Sequence, residues 1–221
     1  MLPTSSRREF LAASAATVAA APGLFAAGDD LLKVGLIGCG GRGTGAAAEA
    51  LQADKNVRLV AMADAFEDRL LDSLAALEKK KEIAGKVDVK PENRFVGFDA
   101  YKEVIARCDV VLLTTPPHFR PLHLRAAVEA GKHVFAEKPV AVDAPGVRHV
   151  LESCELAKKK NLSVVSGLCL RYDYGFREVV KRIHDGQIGP VVTLFANDYR
   201  TGRWAKPRQP TWTDMTYQMR N

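Results

Sequence analysis

The sequence predicts an α/β fold, a doubly wound parallel Rossmann sheet followed by the beginning of an α+β second domain. Three observations predict it. Residues 33–50 pass from a short apolar run through four glycines within six residues into small helix formers. Strand-like and helix-like segments then alternate to about residue 168, three strand-plus-helix repeats on either side of a common motif. Beyond that point the alternation stops. The expected organisation is a leader over 1–30, a dinucleotide-binding domain over 31–168, and an incomplete second domain over 169–221.

The central stretch is Lys33-Val34-Gly35-Leu36-Ile37-Gly38-Cys39-Gly40-Gly41-Arg42-Gly43. It reads as a buried strand, a turn stripped of side chains, and the start of a helix. Gly38, Gly40 and Gly43 fall on G-x-G-x-x-G spacing: the first allows the tight turn, the second admits a pyrophosphate to the backbone, and the third lets helix and strand pack closely. Cys39, Gly41 and Arg42 complete the loop that would meet the phosphates, where helix N–H groups and the helix dipole favour an anion. Taken alone, the motif is equally a glycine-rich strand–helix turn. The next strand, Asn56–Asp64, decides it by ending in a carboxylate 21 residues after Gly43. A dinucleotide site needs an acid there to accept from the adenosine ribose hydroxyls. The same charge repels a 2′-phosphate, so the expected cofactor is NAD rather than NADP. A helix N-cap is the plainer role for Asp64.

Composition narrows the class. The chain has 221 residues, 47% of them apolar, which suffices for a globular core. The net charge of +6 comes from basic residues spread along the chain, so no nucleic-acid partner is expected. The four cysteines, Cys39, Cys108, Cys154 and Cys169, show no C-x-x-C pair and no metal-ligand spacing. No metal site and no disulfide is expected.

In chain order, Arg7 and Arg8 precede seventeen uncharged residues, Leu11 to Ala27, mostly alanine and too short and mild for a membrane span. Paired arginines ahead of such a stretch resemble a twin-arginine export signal, which implies the twin-arginine machinery as a partner and a periplasmic or extracytoplasmic location. Cleavage near Val18-Ala19-Ala20 and near Ala26-Ala27 both fit. A disordered basic terminus is the alternative. Glu67 to about Gly85 reads as an amphipathic helix with Leu70, Leu71, Leu74, Leu77 and Ile83 on or near one face. Residues 86–92 read as a loop, Arg94–Val96 as a short strand and Ala100–Arg107 as a helix.

Asp109–Thr114 reads as a buried parallel strand. It opens into Thr115-Pro116-Pro117-His118, a rigid turn placed to line the cofactor, although the prolines also serve simply to stop the strand. Leu122–Ala130 is a helix closed by Gly131. His133–Ala136 is a strand running into Glu137-Lys138-Pro139. A lysine at that carboxyl end can exchange a proton with a hydroxyl or carbonyl beside a nicotinamide, with Glu137 expected to tune and orient it. A surface Glu–Lys pair is the bland alternative. Asp143 caps a helix running to Lys160, with Pro145 in its first turn, and Ser163–Gly167 is the last parallel strand. Phe176–Asp185 reads as a helix capped by Gly186, Val191–Tyr199 as one strong strand, and Arg200–Asn221, with Trp204 and Trp212, as loop.

The glycine loop, the Thr-Pro-Pro turn and, above all, Ala130-Gly131-Lys132-His133-Val134-Phe135-Ala136-Glu137-Lys138-Pro139 resemble the Gfo/Idh/MocA oxidoreductases. The resemblance covers residues 31–221. It implies that Lys138 is the lysine of the catalytic Glu-Lys-Pro motif and that the turn from Thr115 to His118 faces the nicotinamide. It further implies hydride transfer between NAD and a sugar, cyclitol or related polyol. Arg120 stands where many members carry a histidine. Arg171 and Tyr172, just after the last parallel strand, are weaker substrate candidates, equally readable as surface residues at a domain junction. Family members carry a second domain with a large open β-sheet, which this chain barely begins. The chain is therefore expected to be a fragment or truncated product that binds cofactor without turnover, and the full-length form a homo-oligomer. Two other functions fit the same residues: an NAD-retaining glycosidase that oxidises a sugar transiently to eliminate its substituent, and a dinucleotide-binding module without catalysis.

Overall fold

Six apolar runs pair into one parallel sheet in the order β3-β2-β1-β4-β5-β6. The computed structural model describes residues 31–199 and 205–221. The segment expected to be an export signal, with Arg7 and Arg8, and Trp204 lie outside the described residues. The strands are β1 (Leu32–Ile37), β2 (Val57–Asp64), β3 (Arg94–Val96), β4 (Val110–Leu113), β5 (His133–Ala136) and β6 (Val164–Ser166). The crossover helices are α1 (Gly41–Ala53), α2 (Glu67–Glu78), α3 (Ala100–Ile105), α4 (Arg120–Glu129) and α5 (Ala144–Lys159). From β1 the chain winds outward to β3, then returns to β4 on the other side of β1 and winds outward to β6. The reversal between β1 and β4 parts their carboxyl-end loops and opens a crevice there.

Both faces of the sheet are buried, which is why its strands read as apolar runs and not as alternating ones. Alternation appears instead in where each side chain goes. Ile37, Ala63, Val111 and Leu113 pack with Tyr101, Val104, Leu124 and Val128 on one face. Leu36, Leu59, Met62 and Leu112 pack with Ala47, Leu51, Leu70, Leu74 and Leu77 on the other. Gly35 lets α3 approach β1: a Cβ there would strike Val104 and come within 2.8 Å of Cys108 Sγ. Asp143 caps α5 by accepting from Gly146 N–H at 2.7 Å, as its position ahead of Pro145 predicts.

Three expectations are corrected. The helix after β2 ends at Glu78 and not near Gly85; the chain folds back on itself there, which takes the Ile83 side chain out of water. Leu71 lies off the apolar face and is exposed. Val191–Tyr199 forms no strand; Val192 and Phe195 are 90% and 86% exposed. β-propensity needs a ladder partner to be realised, and none of the described residues supplies one.

The chain divides into two compact units, the first ending at Cys169 and the second spanning Leu170–Asn221. Within the second, α6 (Tyr174–His184) is capped by Asp173, which accepts from Phe176 N–H at 2.9 Å. It ends before Gly186, whose φ is +78°. α7 (Asp214–Arg220) occupies part of the tail expected to be loop, because Thr213 accepts from Thr216 N–H and nucleates the turn.

His123 on α4 is 4% exposed and stacks on Tyr101 with centroids 4.2 Å apart. Burial, reinforced by the Arg120 charge, lowers its pKa to about 4. The unfolded chain protonates this residue near pH 6.5, so between the two values it binds more protons than the folded chain, and stability falls as pH drops. From pH 7 to pH 5 the expected loss from this residue is about 2 kcal/mol. Urea unfolding at both pH values should show that loss in the wild type and its absence in His123→Phe; equal pH dependence in both would contradict it.

Candidate functional site

The glycine loop separates into positions the protein itself requires and positions it leaves open. Gly38 has φ +97°, and a Cβ would come within 2.7 Å of Thr115 N. At Gly43 a Cβ would collide with the Gly38 carbonyl oxygen and lie 2.6 Å from Thr114 Oγ1. These two glycines hold β1, α1 and the end of β4 together. Gly40 and Gly41 have no such neighbours: nothing lies within 4 Å of a Cβ on Gly41, and only the Arg69 guanidinium, at 3.6 Å, approaches one on Gly40. The space beside them is a cradle floored by backbone.

No side chain caps the start of α1, and no acid sits in its first turn, so its N–H groups and dipole point into that cradle. Thr114 Oγ1 lies 2.5 Å from Gly38 O and 3.0 Å from Ile37 O, and Thr44 Oγ1 donates to Gly40 O at 3.0 Å. These hydroxyls hold the loop's shape before any ligand arrives.

Asp64 ends β2 beside the loop. Its Oδ2 accepts from Cys39 N–H at 2.7 Å and its Oδ1 from Phe66 N–H at 3.0 Å. It does not cap α2, whose N-cap is Phe66. Each carboxylate oxygen has two acceptor positions, so the pair is oriented by backbone and can still receive ribose hydroxyls. Cys39 is buried; burial first, and then the Asp64 charge, push its thiol well above its ordinary value, so it is protonated and inert. Among the described residues no group of three or more His, Cys, Asp or Glu side chains could hold a metal.

Across the crevice, Thr115-Pro116-Pro117-His118 leaves β4 as a turn that starts α4, with Phe119 N–H donating to Pro116 O. The prolines therefore both stop the strand and begin the helix. His118 is exposed and meets the Phe119 ring edge-on at 5.4 Å.

At the end of β5 the structure corrects the role expected for Glu137. Its carboxylate pairs with Arg42, Nε to Oε1 at 2.6 Å, and does not pair with the Lys138 ammonium. Neighbouring residues on an extended chain point to opposite sides, which separates the two side chains. Glu137 is 5% exposed, and Gly167 leaves room for it: a Cβ there would lie 2.8 Å from Oε1. Lys138 is exposed, touches Glu137 only through its own backbone N–H at 3.3 Å, and is joined to Pro139 by a cis peptide. Among the described residues no carboxylate pairs with its ammonium. Arg42 also bonds Glu49; those hydrogen bonds, Glu49 first and then Glu137, raise its pKa. Arg42 thus ties the first turn of α1 to β5 across the switch point.

One residue escaped the sequence reading, and a second was singled out there only for departing from the family pattern, without its structural role being seen. Arg69, on the first turns of α2, brings its guanidinium to the open side of Gly40. Its position five residues after Asp64 was the available signal. Arg120 is buried and donates to the carbonyls of Thr115 and Pro139; its place at the start of a helix gave no hint of that. Arg171 and Tyr172 belong to the second unit, in a short turn over Cys169–Tyr172. There Arg171 lines a groove with Phe176, Arg177 and Lys181. The other candidate residues lie in the first unit.

A cradle of this shape, an oriented acid at the end of β2, and a parallel sheet wound both ways from β1 fit a dinucleotide. The profile of the Gfo/Idh/MocA oxidoreductase family, described as having an NAD-binding Rossmann fold, matches residues 32–167. The chain belongs to this family. An inositol 2-dehydrogenase of Rhizobium meliloti (strain 1021) is 34% identical over 169 residues, which are 76% of this chain and 46% of the relative. The crystal structure of a myo-inositol 2-dehydrogenase from Lactobacillus plantarum superposes with TM-score 0.54 at 26% identity, covering 74% of this chain and 44% of that one. A scyllo-inositol dehydrogenase from Lactobacillus casei, solved with bound NAD(H) and scyllo-inositol, superposes with TM-score 0.54 over 72% of this chain and 43% of that one. At 22% identity that likeness is of fold. The chain spans about half the length of the curated relatives it matches.

Family membership supplies NAD as the cofactor, and the residues present fit it: backbone from Gly40 to Gly43 for the pyrophosphate, Asp64 for the adenosine ribose. Asp64 is expected to favour NAD over NADP by at least about tenfold, about 1.4 kcal/mol. Calorimetric titration of both cofactors tests this. Asp64→Ala should narrow the gap chiefly by weakening NAD, and equal affinities in the wild type would remove Asp64 from the role.

Proposed function

We propose that the protein is an NAD-dependent oxidoreductase moving a hydride between nicotinamide and the carbinol carbon of a cyclitol, sugar or related polyol. The observation that carries the reading is Lys138: an exposed lysine without a carboxylate partner among the described residues, at the carboxyl end of β5, beside the crevice that the glycine cradle opens. Bound NAD supplies the hydride acceptor. In oxidation Lys138 Nζ, as a neutral amine, takes the hydroxyl proton; in reduction the ammonium returns it to the carbonyl oxygen. The turn from Thr115 to His118 walls the nicotinamide side, and Asp64 and the glycine loop fix the adenosine side so that the reactive carbon meets a set position. The names of the inositol dehydrogenases above favour a cyclitol.

The test uses the protein as its own gene makes it, with NAD and a panel of inositols and hexoses. NADH formation from an inositol supports the reading. Release of a glycosidic substituent without NADH would move it to oxidation-assisted elimination, and cofactor binding without either outcome to a non-catalytic module.

The proposal includes export by the twin-arginine route to an extracytoplasmic site and assembly as a homo-oligomer. Support for export is the Arg7-Arg8 pair ahead of a mild apolar stretch. Arg7→Lys with Arg8→Lys keeps the charge and removes the guanidinium pair, so the double variant should stay in the cytoplasm on cell fractionation. Unchanged export would contradict the route. Support for self-association is the exposed apolar run Val191, Val192, Leu194 and Phe195.

A further inference from the structure

We propose that Arg120 is a positioning residue whose buried guanidinium ties the turn after β4 to the loop after β5, and so sets where Lys138 stands. The inference rests on the acid/base role given to Lys138 above. The ladder between β4 and β5 ends at Leu113↔Ala136, closed by Glu137 N–H donating to Leu113 O at 2.9 Å. Beyond it the two strands diverge, and no backbone bond joins Thr115 to Pro139. Arg120 spans that gap. Its Nη2 donates to Thr115 O and its Nη1 to Pro139 O, the carbonyl next in chain to Lys138.

The side chain is 2% exposed, so water does not compete for these donors. Burying a guanidinium is costly and lowers the Arg120 pKa, and the Glu137 charge offsets part of that cost. A planar fork holds two acceptors at a fixed separation, which a lysine's single ammonium does not. Arg42 grips the same loop from the other side through Glu137. The Glu137–Pro139 loop is therefore clamped from α1 and from α4, and Lys138 is the residue left projecting between the clamps.

The test compares wild type, Arg120→Ala and Arg120→Lys by hydrogen exchange, by acylation of Lys138 with a small activated ester, and by kinetics. In both variants, amides of Thr115, His118, Lys138 and Val140 should exchange about tenfold faster or more, while those of Leu36 and Leu59 keep the wild-type rate. The acylation rate of Lys138 relative to Lys132 should change in both. Turnover should fall about tenfold or more with KM for NAD little altered, the mark of a displaced acid/base and not of a damaged cofactor cradle. Millimolar methylguanidinium should restore slow exchange in Arg120→Ala.

Faster exchange spread equally over Leu36 and Leu59 would make Arg120 merely structural and overturn the proposal. So would wild-type exchange and turnover in Arg120→Lys, which would show that charge alone suffices. If Arg120→Ala does not fold, Arg120→Lys decides between the same outcomes. If the wild type oxidises no alcohol, the functional reading fails, while exchange and acylation still decide whether Arg120 sets the position of Lys138.

Discussion

Lys138→Ala is expected to lower turnover by about 10²–10⁴-fold, the range for losing a general acid/base, with little change in NAD affinity. The two halves of that expectation come from different parts of the site. Cofactor affinity is assigned to the loop from Gly38 to Gly43 and to Asp64, which Lys138 does not touch. Its closest link to the clamp is the 3.3 Å contact of its own backbone N–H with Glu137, which alanine keeps. Removing the side chain leaves the Arg42–Glu137 pair intact, so no buried charge is orphaned and the fold should not suffer. Steady-state kinetics on the protein as its gene makes it, beside calorimetry, separates the two quantities. Near-normal turnover would take the proton from this lysine. A parallel collapse of NAD affinity would show that it serves the cofactor instead.

Gly43→Ala should cost about 10²-fold or more in NAD affinity, about 2.7 kcal/mol, the scale of losing one or two hydrogen bonds to a charged pyrophosphate. The added methyl collides with the Gly38 carbonyl and crowds Thr114 Oγ1, and neither can retreat. Gly38 is held by its φ of +97° and by its N–H bond to Ala63 O, and Thr114 by its bonds to Ile37 and Gly38. The start of α1 must therefore move away from β1, taking its N–H groups with it. Overpacking should also lower stability by about 1–3 kcal/mol. Gly41→Ala is the contrast. Its methyl meets no protein atom within 4 Å, so the variant should be as stable as the wild type or slightly more so, because alanine favours a helix. Any loss of NAD affinity there reports the ligand's presence at that spot. Tight NAD binding by Gly43→Ala would contradict the assignment of the cradle.

Much of the first unit was legible because its signals are local. An apolar run, a glycine loop and a small-residue helix lie within twenty residues of each other, and Asp64 follows at the spacing one crossover helix imposes. The short strands after Asp109, His133 and Ser163 were readable for the same reason, each bounded by charge or by glycine and proline. What escaped is long-range. Arg42 and Glu137 are 95 residues apart, and only the switch point brings them together. Nothing near Glu137 announces that its partner is an arginine and not the adjacent lysine. Arg120 opens a helix, a place where a basic residue normally reaches solvent, and its burial depends on two carbonyls supplied by other loops. At Val191–Tyr199 the failure runs the other way: local β-propensity is strong, but a ladder needs a neighbour that local sequence cannot provide. The α7 helix was missed for a small reason, a threonine cap three residues ahead of Thr216 in a stretch whose prolines suggested loop throughout.

The central claim, that the loop from Gly38 to Gly43 and Asp64 form a dinucleotide site, is tested most directly by titrating NAD into the chain by calorimetry. The account predicts saturable binding of one NAD per chain, weakened by Asp64→Ala and largely lost in Gly43→Ala. No binding by the wild type, or binding indifferent to both substitutions, would contradict it.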